Sequence, residues 1–373
     1  MPIKTETLWP LDPHTEMKHT ILRKYLNAWI PILSSTGNDL IYIDGFAGPG
    51  EYPNGEPGSP FIALDALKNQ VVKIKGRVHF VFIEKEKDRC DHLKNLLLNY
   101  TPPPNADIEK PICGLFDQEV TRLLDSIDKQ IEQISLETGQ KYHRVPTFAF
   151  IDPFGYKMPM SIIKRIMSTP RSEILVTLII PELKRFCSNI GWEHSLNELF
   201  ATNDWNLILQ IDNPDEKTNF LRNLYIGQLK NYANINHILY FKMINKNNQT
   251  AYFLIFGTNN WRGIEVMKNA MWEIDPTGNY TFSDLSHPGQ VTLMDFGGFN
   301  YKSIQNEVKK LSGQELTIIE IRKYITLETP YPTKRLKTEI LKPMELNNEL
   351  IPISPRKISK ISYPDNNFKV KIL

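Results

Sequence analysis

Hydrophobic positions in the N-terminal half of the chain alternate between helical spacing and short continuous runs. Ile21, Tyr25 and Trp29 share one helical face, and this spacing predicts an amphipathic helix over 14–33. The continuous runs predict strands, one ending at Asp44 and others at 78–84, 108–115, 147–151 and 174–180, with helices over 60–68, 87–100, 118–137 and 161–167. A parallel sheet covered by helices on both faces needs such apolar strands. We therefore expect a doubly wound, Rossmann-like α/β fold.

The C-terminal half predicts an insertion and a second domain. Residues 183–233 have a helical pattern, and the runs 238–244 and 250–256 flank a polar turn, which predicts a β-hairpin that closes the sheet. The tail predicts helices over 301–311, 315–328 and 333–347 and β-like pieces at 350–353 and 366–373. Three helices and a small ribbon are the outline of a winged helix. We expect one domain over 1–295 and a winged-helix domain over 300–373.

Composition and charge limit the classes of protein that fit. The chain has 373 residues, which is longer than one typical globular domain. Since 41% of the residues are hydrophobic, it has enough apolar side chains to form a globular core. Its 44 basic and 42 acidic residues nearly cancel. Residues 301–373, however, hold 14 basic and 8 acidic side chains, which give this segment a net charge of +6. Because the whole chain has a net charge of +2, residues 1–300 have a net charge of −4. The tail is therefore the basic part.

The sequence predicts neither a secretory signal nor a membrane span. No continuous apolar stretch follows a positive start at the N-terminus. The longest apolar run, 174–181, is far shorter than the ~20 residues that a bilayer requires. We expect a cytoplasmic protein with no membrane partner.

The cysteines give no sign of a cross-linked or metal-bound structure. Cys90, Cys113 and Cys187 are odd in number and widely separated, and no CxxC pair is present. This spacing supports neither a disulfide framework nor a zinc site. We expect small buried hydrophobic side chains and no metal.

A glycine-rich segment directly follows the first predicted strand. It comprises Asp44, Gly45, Phe46, Ala47, Gly48, Pro49 and Gly50, at the sheet edge where nucleotides bind. The G-x-x-G-x-G spacing fits neither the dinucleotide fingerprint nor the P-loop, which disfavours a nicotinamide-dependent oxidoreductase. An acidic residue ahead of the glycines instead suits S-adenosylmethionine, whose ammonium and sulfonium are cationic. A turn that serves only strand-to-helix packing explains these glycines equally well.

Acidic residues also follow the next two predicted strands. Glu84 ends the second strand, where a carboxylate can accept hydrogen bonds from both ribose hydroxyls of an adenosine ligand. Asp117 follows the third strand, where it can contact the adenine amino group. The alternatives are a solvated carboxylate at a helix start for Glu84 and a helix cap for Asp117.

The segment Asp152-Pro153-Phe154-Gly155 directly follows the fourth predicted strand. Methylation of an exocyclic amine requires hydrogen-bond acceptors for the amine, which the Asp152 carboxylate and the Pro153 carbonyl can supply. Phe154 offers a stacking face for a base that is unpaired or flipped out. The alternative is an ordinary Asp-Pro turn. Its combination with the glycine segment and Glu84, in the right strand order, favours a catalytic role.

Two groups of basic residues extend the candidate site. His14, Lys18 and His19 lie on the first predicted helix, with His14 and Lys18 one turn apart on the same face, where they can reach the cofactor or a phosphate. Lys334, Arg335 and Lys337 open the third helix of the tail, at the position where a helix-turn-helix meets nucleic acid. A solvated helix face is the alternative for both groups, and protein contacts are a further alternative for the tail.

Long segments of the chain resemble the three-Cys-motif partner proteins (TcmP), which are methyltransferase-like. The similarity covers almost the whole chain and runs through PHTEMKHTILRKYLNAWIPIL, IDGFAGPGEYPNGEPGSPFIAL, FIE, FAFIDPFG and NNWRGIEVMKNAMWEIDP. It implies a class I methyltransferase sheet, S-adenosylmethionine as cofactor and a companion protein with three clustered cysteines. The three scattered cysteines of this chain are not that motif.

Two other groups resemble parts of the site. The Asp152-Pro153-Phe154-Gly155 segment is similar to the motif of tRNA guanine-N2 methyltransferases. The His-x-x-x-Lys-His helix with Asp-x-x-Ala-Gly-x-Gly is similar to the large-subunit ribosomal RNA adenine-N6 enzymes, which implies that Lys18 and His19 lie near the cofactor. Those adenine enzymes have D-P-P-Y where this chain has D-P-F-G, so the acceptor base stays open.

These features lead us to expect an S-adenosylmethionine-dependent N-methyltransferase. Its acceptor would be an exocyclic base amine of RNA or DNA, and it would work with a three-Cys-motif partner protein. The alternative is a non-catalytic scaffold or sensor that binds the nucleoside cofactor and engages the partner through its winged helix.

Overall fold

The computed structural model describes residues 7–153, 158–284, 301–355, 362–364 and 366–373. These residues form two compact units. The first comprises 7–263 with 281–284, and the second comprises 264–280 with the described residues from 301 onward. The expected first domain, 1–295, differs from the first unit because it includes 264–280.

Helices and strands alternate along the first unit as the hydrophobic pattern predicts. They are α1 (Pro13–Ser34), β1 (Leu40–Asp44), α2 (Ser59–Lys68), β2 (Val78–Glu84), α3 (Lys87–Leu98), β3 (Ala106–Ile108), β4 (Ile112–Cys113), α4 (Phe116–Thr138), β5 (Thr147–Ile151), α5 (Met160–Met167) and β6 (Glu173–Ile179). Then follow α6 (Ile180–Cys187), α7 (Glu193–Phe200), a 3₁₀ helix (Asp204–Gln210), α8 (Pro214–Asn231), β7 (His237–Ile244), β8 (Thr250–Thr258) and β9 (Thr281–Ser283). Helix α9 (Trp261–Trp272) precedes β9, and most of it belongs to the second unit.

The strands of the first unit form one mixed, mostly parallel sheet. Its order is β3-β2-β1-β5-β6-β8-β7-β9, and β4 pairs with β2. Strands β2, β1, β5 and β6 are parallel, whereas β8 is antiparallel to both β6 and β7. This topology confirms the predicted doubly wound, Rossmann-like sheet, including the closing hairpin.

The predicted strand 108–115 is wrong as one continuous element. It consists of β3 and β4, separated by three residues that end in Pro111. Proline has no backbone N–H to donate to a ladder, so pairing with β2 stops at Phe80 and resumes at Ile83. The break lets the chain turn toward α4 at the end of β2.

The two faces of the sheet have different cores. Tyr42 and Phe148 stack on one face, where Tyr25 and Trp29 of α1 pack against Phe148 with ring centroids 5.4 and 5.6 Å apart. On the other face most strand residues are aliphatic, with Ile43 and Ile151 among them, and α4, α5 and the helical segment from α6 to α8 cover this face. The sequence thus places aromatic residues under α1 and branched aliphatic residues on the opposite face.

A buried glutamate connects α1 to the sheet. Glu173, at the start of β6, accepts hydrogen bonds from the hydroxyls of Tyr25 and of Thr258, the latter at 2.8 Å. Burial raises the pKa of Glu173 to about 7, although both hydroxyls favour the ionised form. The cost of ionising Glu173 therefore lowers folding stability as the pH rises from 4.5 to about 7 and opposes folding fully above that.

The second unit contains a small antiparallel sheet and several helices. Its elements are α10 (Tyr301–Lys309), β10 (Glu315–Thr317), α11 (Ile318–Glu328), a π-helical segment (Leu336–Leu341), α12 (Lys342–Leu346), β11 (Leu350–Pro352) and β12 (Lys369–Ile372), with the sheet order β10-β12-β11. Lys268 of α9 donates to the carbonyls of Thr326 and Thr329, and so neutralises the end of α11. The winged-helix assignment stays a prediction.

Two predicted tail helices begin later than expected. Residues 315–317 form β10, and α11 starts after Thr317, whose side chain forms a capping box with Glu320. Helical structure near 333–347 starts at Leu336. Lys334 and Arg335 therefore precede that helix instead of opening it.

The cysteine prediction is wrong for two of the three residues. Cys90 of α3 and Cys113 of β4 form a disulfide, and the Cys113 side chain is exposed. Cys187 is a free, buried thiol, as predicted. The disulfide partners are 23 residues apart in the sequence, so their spacing did not indicate a contact. They meet because β4 pairs with β2.

Within the described ranges, every helix is too short or too polar to cross a bilayer.

We predict that Glu173→Gln weakens the pH dependence of folding stability. The folded pKa of about 7 lies above the ordinary value of 4.5, so the wild type loses stability as the pH rises through this window. Between pH 4.5 and 8 the free energy of unfolding of the variant should gain about 3 kcal/mol relative to the wild type. Urea unfolding at both pH values measures this, and Glu132→Gln on the exposed side of α4 is the control. Parallel curves for Glu173→Gln and wild type would contradict the assignment.

Candidate functional site

The carboxyl ends of β1, β2 and β5 meet at one edge of the sheet. Asp44, the last residue of β1, lies opposite Phe82 of β2 and Phe150 of β5 in the strand register. The strand order reverses between β1 and β5, and ligands of doubly wound sheets bind outside the strand ends at such a point. The structure thus brings Asp44, Glu84 and Asp152 to the same edge.

Asp44 is fully buried and incompletely hydrogen-bonded. Its Oδ1 accepts from the Phe46 amide at 3.3 Å, whereas Oδ2 makes no hydrogen bond within the described part of the chain. Burial raises the pKa of Asp44 to about 7; the Ser59 hydroxyl and the Phe46 amide oppose this effect, and the charges of Asp152 and Glu84 add to it. A buried carboxylate oxygen without a donor is suited to a cationic or hydrogen-donating ligand.

Glu84 anchors the glycine segment. Its Oε2 accepts from the Gly48 amide at 2.9 Å, and its Oε1 accepts from the Glu86 amide at 2.8 Å. Glu84 is 5% exposed, so the solvated alternative is wrong. Burial raises the pKa of its carboxyl group. Each oxygen retains a second lone pair for a ligand hydroxyl.

The glycine segment is closed by a close backbone contact. The Gly58 amide donates to the Gly50 carbonyl at 2.7 Å, and a side chain at Gly58 would place Cβ 2.9 Å from that backbone. Residues 51–57 between them form a short loop, which we call the excursion. An antiparallel β-bridge between Glu51 and Pro57 pairs the two ends of this loop. Gly48 and Gly50 have φ of +63° and +93°, the left-handed region that favours glycine.

The other residues of the segment line its base. Ala47 is buried, and its amide donates to the Ile83 carbonyl at 2.9 Å. The Phe46 ring stacks on Phe116, with centroids 5.3 Å apart. A Cβ at Gly45 would lie 2.4 Å from the Phe116 ring, so this position must be glycine. The packing alternative therefore explains Gly45 and Gly58, while Asp44 and Glu84 remain available to a ligand.

Helix α1 contributes a buried cation to the site. Lys18, only 5% exposed, forms an ion pair and hydrogen bond with Asp152 Oδ2. Burial disfavours ionised Asp152, but the Lys18 ammonium outweighs this cost and keeps the pKa of Asp152 below its ordinary value. The solvated-face alternative is therefore wrong for Lys18.

His19 is buried and neutral at physiological pH. Burial and the adjacent Lys18 charge lower its pKa to about 3. Its ring lies 5.8 Å from the ring of Tyr52, which the excursion carries. His19 thus contacts the excursion, and its neighbour Lys18 contacts Asp152.

Asp117 lies in the first turn of α4 instead of capping it. Leu115 occupies the N-cap position, and no side chain makes the cap hydrogen bond. Asp117 Oδ1 is buried, and none of the described residues donates a hydrogen bond to it. The capping alternative is wrong, and an unpartnered acceptor is consistent with the predicted ligand contact.

The Asp-Pro segment is described only in part. Asp152 has 18% of its side chain exposed, and Pro153 is buried. Phe154 and Gly155 lie outside the described residues. Their proposed stacking and turn roles remain predictions.

Two residues at this edge, Tyr252 and Asp284, belong to no predicted motif, and both contact His14 of the first predicted helix. His14 Nδ1 lies 3.0 Å from a carboxylate oxygen of Asp284, the residue after β9. Tyr252 of β8 donates to the His14 carbonyl at 2.8 Å, and its ring lies 5.3 Å from Lys18 Nζ. The spacing of His14 and Lys18 indicated their shared face, but Asp284 is 270 residues from His14 and had no local signal.

The predicted nucleic-acid contacts lie around a cavity in the second unit. Lys334, Arg335 and Lys337 line a cavity of about 370 Å³ together with Arg322 and Glu265. Lys334 pairs with Glu273 at 2.8 Å on an exposed surface. The three residues are therefore grouped, and their role in binding stays a prediction.

No cluster of three or more metal-binding side chains occurs among the residues that the structure describes.

No family model matches the chain, and no curated protein matches it. Among solved structures, human methyltransferase-like protein 13 in complex with SAH is similar at 10% identity, covering 68% of this chain and 91% of that one, with a TM-score of 0.33. A Legionella pneumophila protein of the DUF519 family is similar at 13% identity, covering 65% of this chain and 85% of that one, also with a TM-score of 0.33. Scores this low support no conclusion about activity.

We predict that Gly58→Ala destabilises the first unit by about 1–3 kcal/mol, because the new methyl group meets the Gly50 backbone. The control is Gly227→Ala in α8, where no described atom other than its chain neighbours and the backbone of its own helix lies within 4 Å of the added Cβ. That substitution should instead stabilise by roughly 0.5–1 kcal/mol, since alanine favours helix. Urea unfolding compares the two, and equal effects would contradict the close contact.

Proposed function

We propose that the chain is an S-adenosylmethionine-dependent N-methyltransferase. The supporting observation is the charge at the sheet edge, where Asp44, Glu84 and Asp152 lie close together and Lys18 offsets one of them. Because His19 is neutral, these side chains carry an excess of negative charge for a cation once Asp44 has lost its proton. When bound, S-adenosylmethionine supplies a methyl group on a cationic sulfonium.

The residues at this edge fit the parts of that cofactor. Asp44, with its unpartnered Oδ2, would face the cationic methionine portion over the backbone of Gly45, Gly48 and Gly50. Glu84 would accept from the ribose hydroxyls, and Asp117 would accept from the adenine amino group through Oδ1. Lys18 and His19 border this space from α1.

The acceptor we propose is an exocyclic amine of an RNA or DNA base. Asp152 is held as a carboxylate by Lys18, so it can accept from the amine while remaining ionised. The Pro153 carbonyl and the Phe154 ring would complete the acceptor contacts. The second unit, with Lys334, Arg335 and Lys337 around its cavity, would bind the polymer. We further propose a three-Cys-motif protein as the partner, on the basis of the sequence resemblance.

Cofactor affinity should depend on pH through Asp44. Its pKa of about 7 implies that binding of a cation requires loss of a proton, so affinity should fall about tenfold per pH unit below 7. Calorimetry with S-adenosylmethionine between pH 5.5 and 8 measures this. Asp44→Asn should bind weakly and lose the dependence, whereas Asp39→Asn, which lies just before β1 with 45% of its side chain exposed, should match the wild type. Tight binding by Asp44→Asn would exclude the proposed contact.

Asp152→Asn should abolish methyl transfer and retain cofactor binding. The substitution leaves Lys18 buried without its counter-ion, so Lys18→Met with Asp152→Asn serves as the charge-matched control for folding. Transfer of labelled methyl groups to total RNA and denatured DNA, with mass spectrometry of the nucleosides, identifies the base. Undiminished transfer by the variant would remove Asp152 from the mechanism. Cofactor binding by the wild type without any transfer would favour the scaffold alternative.

The salt dependence of nucleic-acid binding tests the basic cluster. Each phosphate contact removed should reduce the slope of log K against log salt by roughly 0.7–0.9. Lys334→Ala, Arg335→Ala and Lys337→Ala are compared with Lys309→Ala at the end of α10, where the Lys309 side chain pairs with Glu349. Fluorescence anisotropy with a single-stranded RNA oligonucleotide gives the slopes. Unchanged slopes for all three variants would exclude this cluster as the binding surface.

A further inference from the structure

We propose that His14 and Asp284 form a catalytic dyad in which His14 Nε2 accepts the proton released by the acceptor amine. This inference rests on the proposed methyltransferase function. It adds a catalytic residue at the acceptor site.

The hydrogen bond to Asp284 fixes the state of the imidazole. His14 Nδ1 lies 3.0 and 3.3 Å from the two carboxylate oxygens of Asp284. Because a carboxylate only accepts, Nδ1 must carry the hydrogen, and in the neutral ring Nε2 then holds a free lone pair. The same arrangement orients the base in serine hydrolases, where the carboxylate also stabilises the imidazolium that forms.

The Nε2 atom is free to act on a ligand. It is buried, and it has no hydrogen-bond partner among the residues that the structure describes. His14 as a whole is 7% exposed. A buried ring nitrogen without a partner is costly unless it serves a ligand or reaction.

Tyr252 connects the dyad to Asp152. The His14 ring packs edge-on against the Tyr252 ring with centroids 5.6 Å apart, and Lys18 Nζ lies 5.3 Å from the same ring. Lys18 in turn pairs with Asp152. His14 and Lys18 are one helical turn apart on α1, so both face this edge of the sheet. The dyad therefore borders the proposed acceptor position.

The neighbouring groups are poor proton acceptors, which leaves this role to His14. Asp152 is held ionised by Lys18 with a lowered pKa, and burial lowers the pKa of His19 to about 3. Asp44 faces the proposed cofactor cation. In the methyl-transfer step the acceptor nitrogen forms a bond to the methyl carbon, and the carbon–sulfur bond breaks with its electron pair left on sulfur. The nitrogen loses a proton, which passes to His14 Nε2.

The first test determines the tautomer without any reaction. Nitrogen NMR of uniformly labelled protein, with the His14 signals identified by comparison with His14→Gln, should show hydrogen on Nδ1 and none on Nε2. Asp284→Asn should abolish this preference. Hydrogen on Nε2 in the wild type would overturn the proposal.

The second test is chemical rescue. His14→Ala should lower methyl transfer to total RNA and denatured DNA by about 100-fold or more, with cofactor binding unchanged. Added imidazole should restore transfer in proportion to its concentration. His79→Ala is the matched control, because His79 Nδ1 also faces a carboxylate, Asp107 at 2.9 Å, but is half-buried at the start of β2.

The outcomes separate the two proposals. Wild-type protein that neither binds the cofactor nor transfers methyl groups would refute the proposed function, and the dyad with it. Wild-type transfer with an unaffected His14→Ala would refute the dyad alone. A His14→Ala defect that imidazole does not restore would assign His14 a structural role and overturn the proposal as well.

Discussion

The ion pair between Lys18 and Asp152 joins the first helix to the end of the fifth strand, and the site depends on it. Removing one partner of such a buried pair leaves an uncompensated charge, which typically costs about 3–5 kcal/mol. The helix that carries Lys18 also carries His14 and His19, and its aromatic face packs on the sheet through Tyr25. One electrostatic contact thus aligns the basic side chains of α1 with the carboxylates of the sheet.

Different surroundings shift the pKa values of Asp44 and Asp152 in opposite directions, although the two carboxyl groups are chemically the same. Asp44 is buried with few donors, which favours its protonated form, whereas Asp152 has a cation in direct contact and remains ionised. Such a separation allows neighbouring acids to take different roles. In the proposed mechanism Asp44 responds to the charge of the cofactor, Asp152 orients the acceptor, and His14 receives the proton.

Local patterns predicted the fold well because buried strands and amphipathic helices each have a characteristic spacing of hydrophobic residues in the sequence. The strands at 78–84 and 147–151 match the structure residue for residue. Failures occurred where distant pairing decides the structure: β10 forms by pairing with β12, and Cys90 meets Cys113 only because β4 joins β2. The acidic site residues could be predicted because each ends or follows a strand at the same edge. Asp284 could not, since its partner lies at the opposite end of the chain.

The base of the excursion between Gly50 and Gly58 keeps its shape whatever the length of the loop. Its two ends are fixed to each other by the amide of one glycine and the carbonyl of the other, while Pro53, Asn54 and Gly55 at its tip are exposed. Extra residues at such a tip add only slowly growing loop entropy. A peptide tag or fluorophore inserted between Asn54 and Gly55 would therefore project into solvent, and the strand ends would stay unchanged.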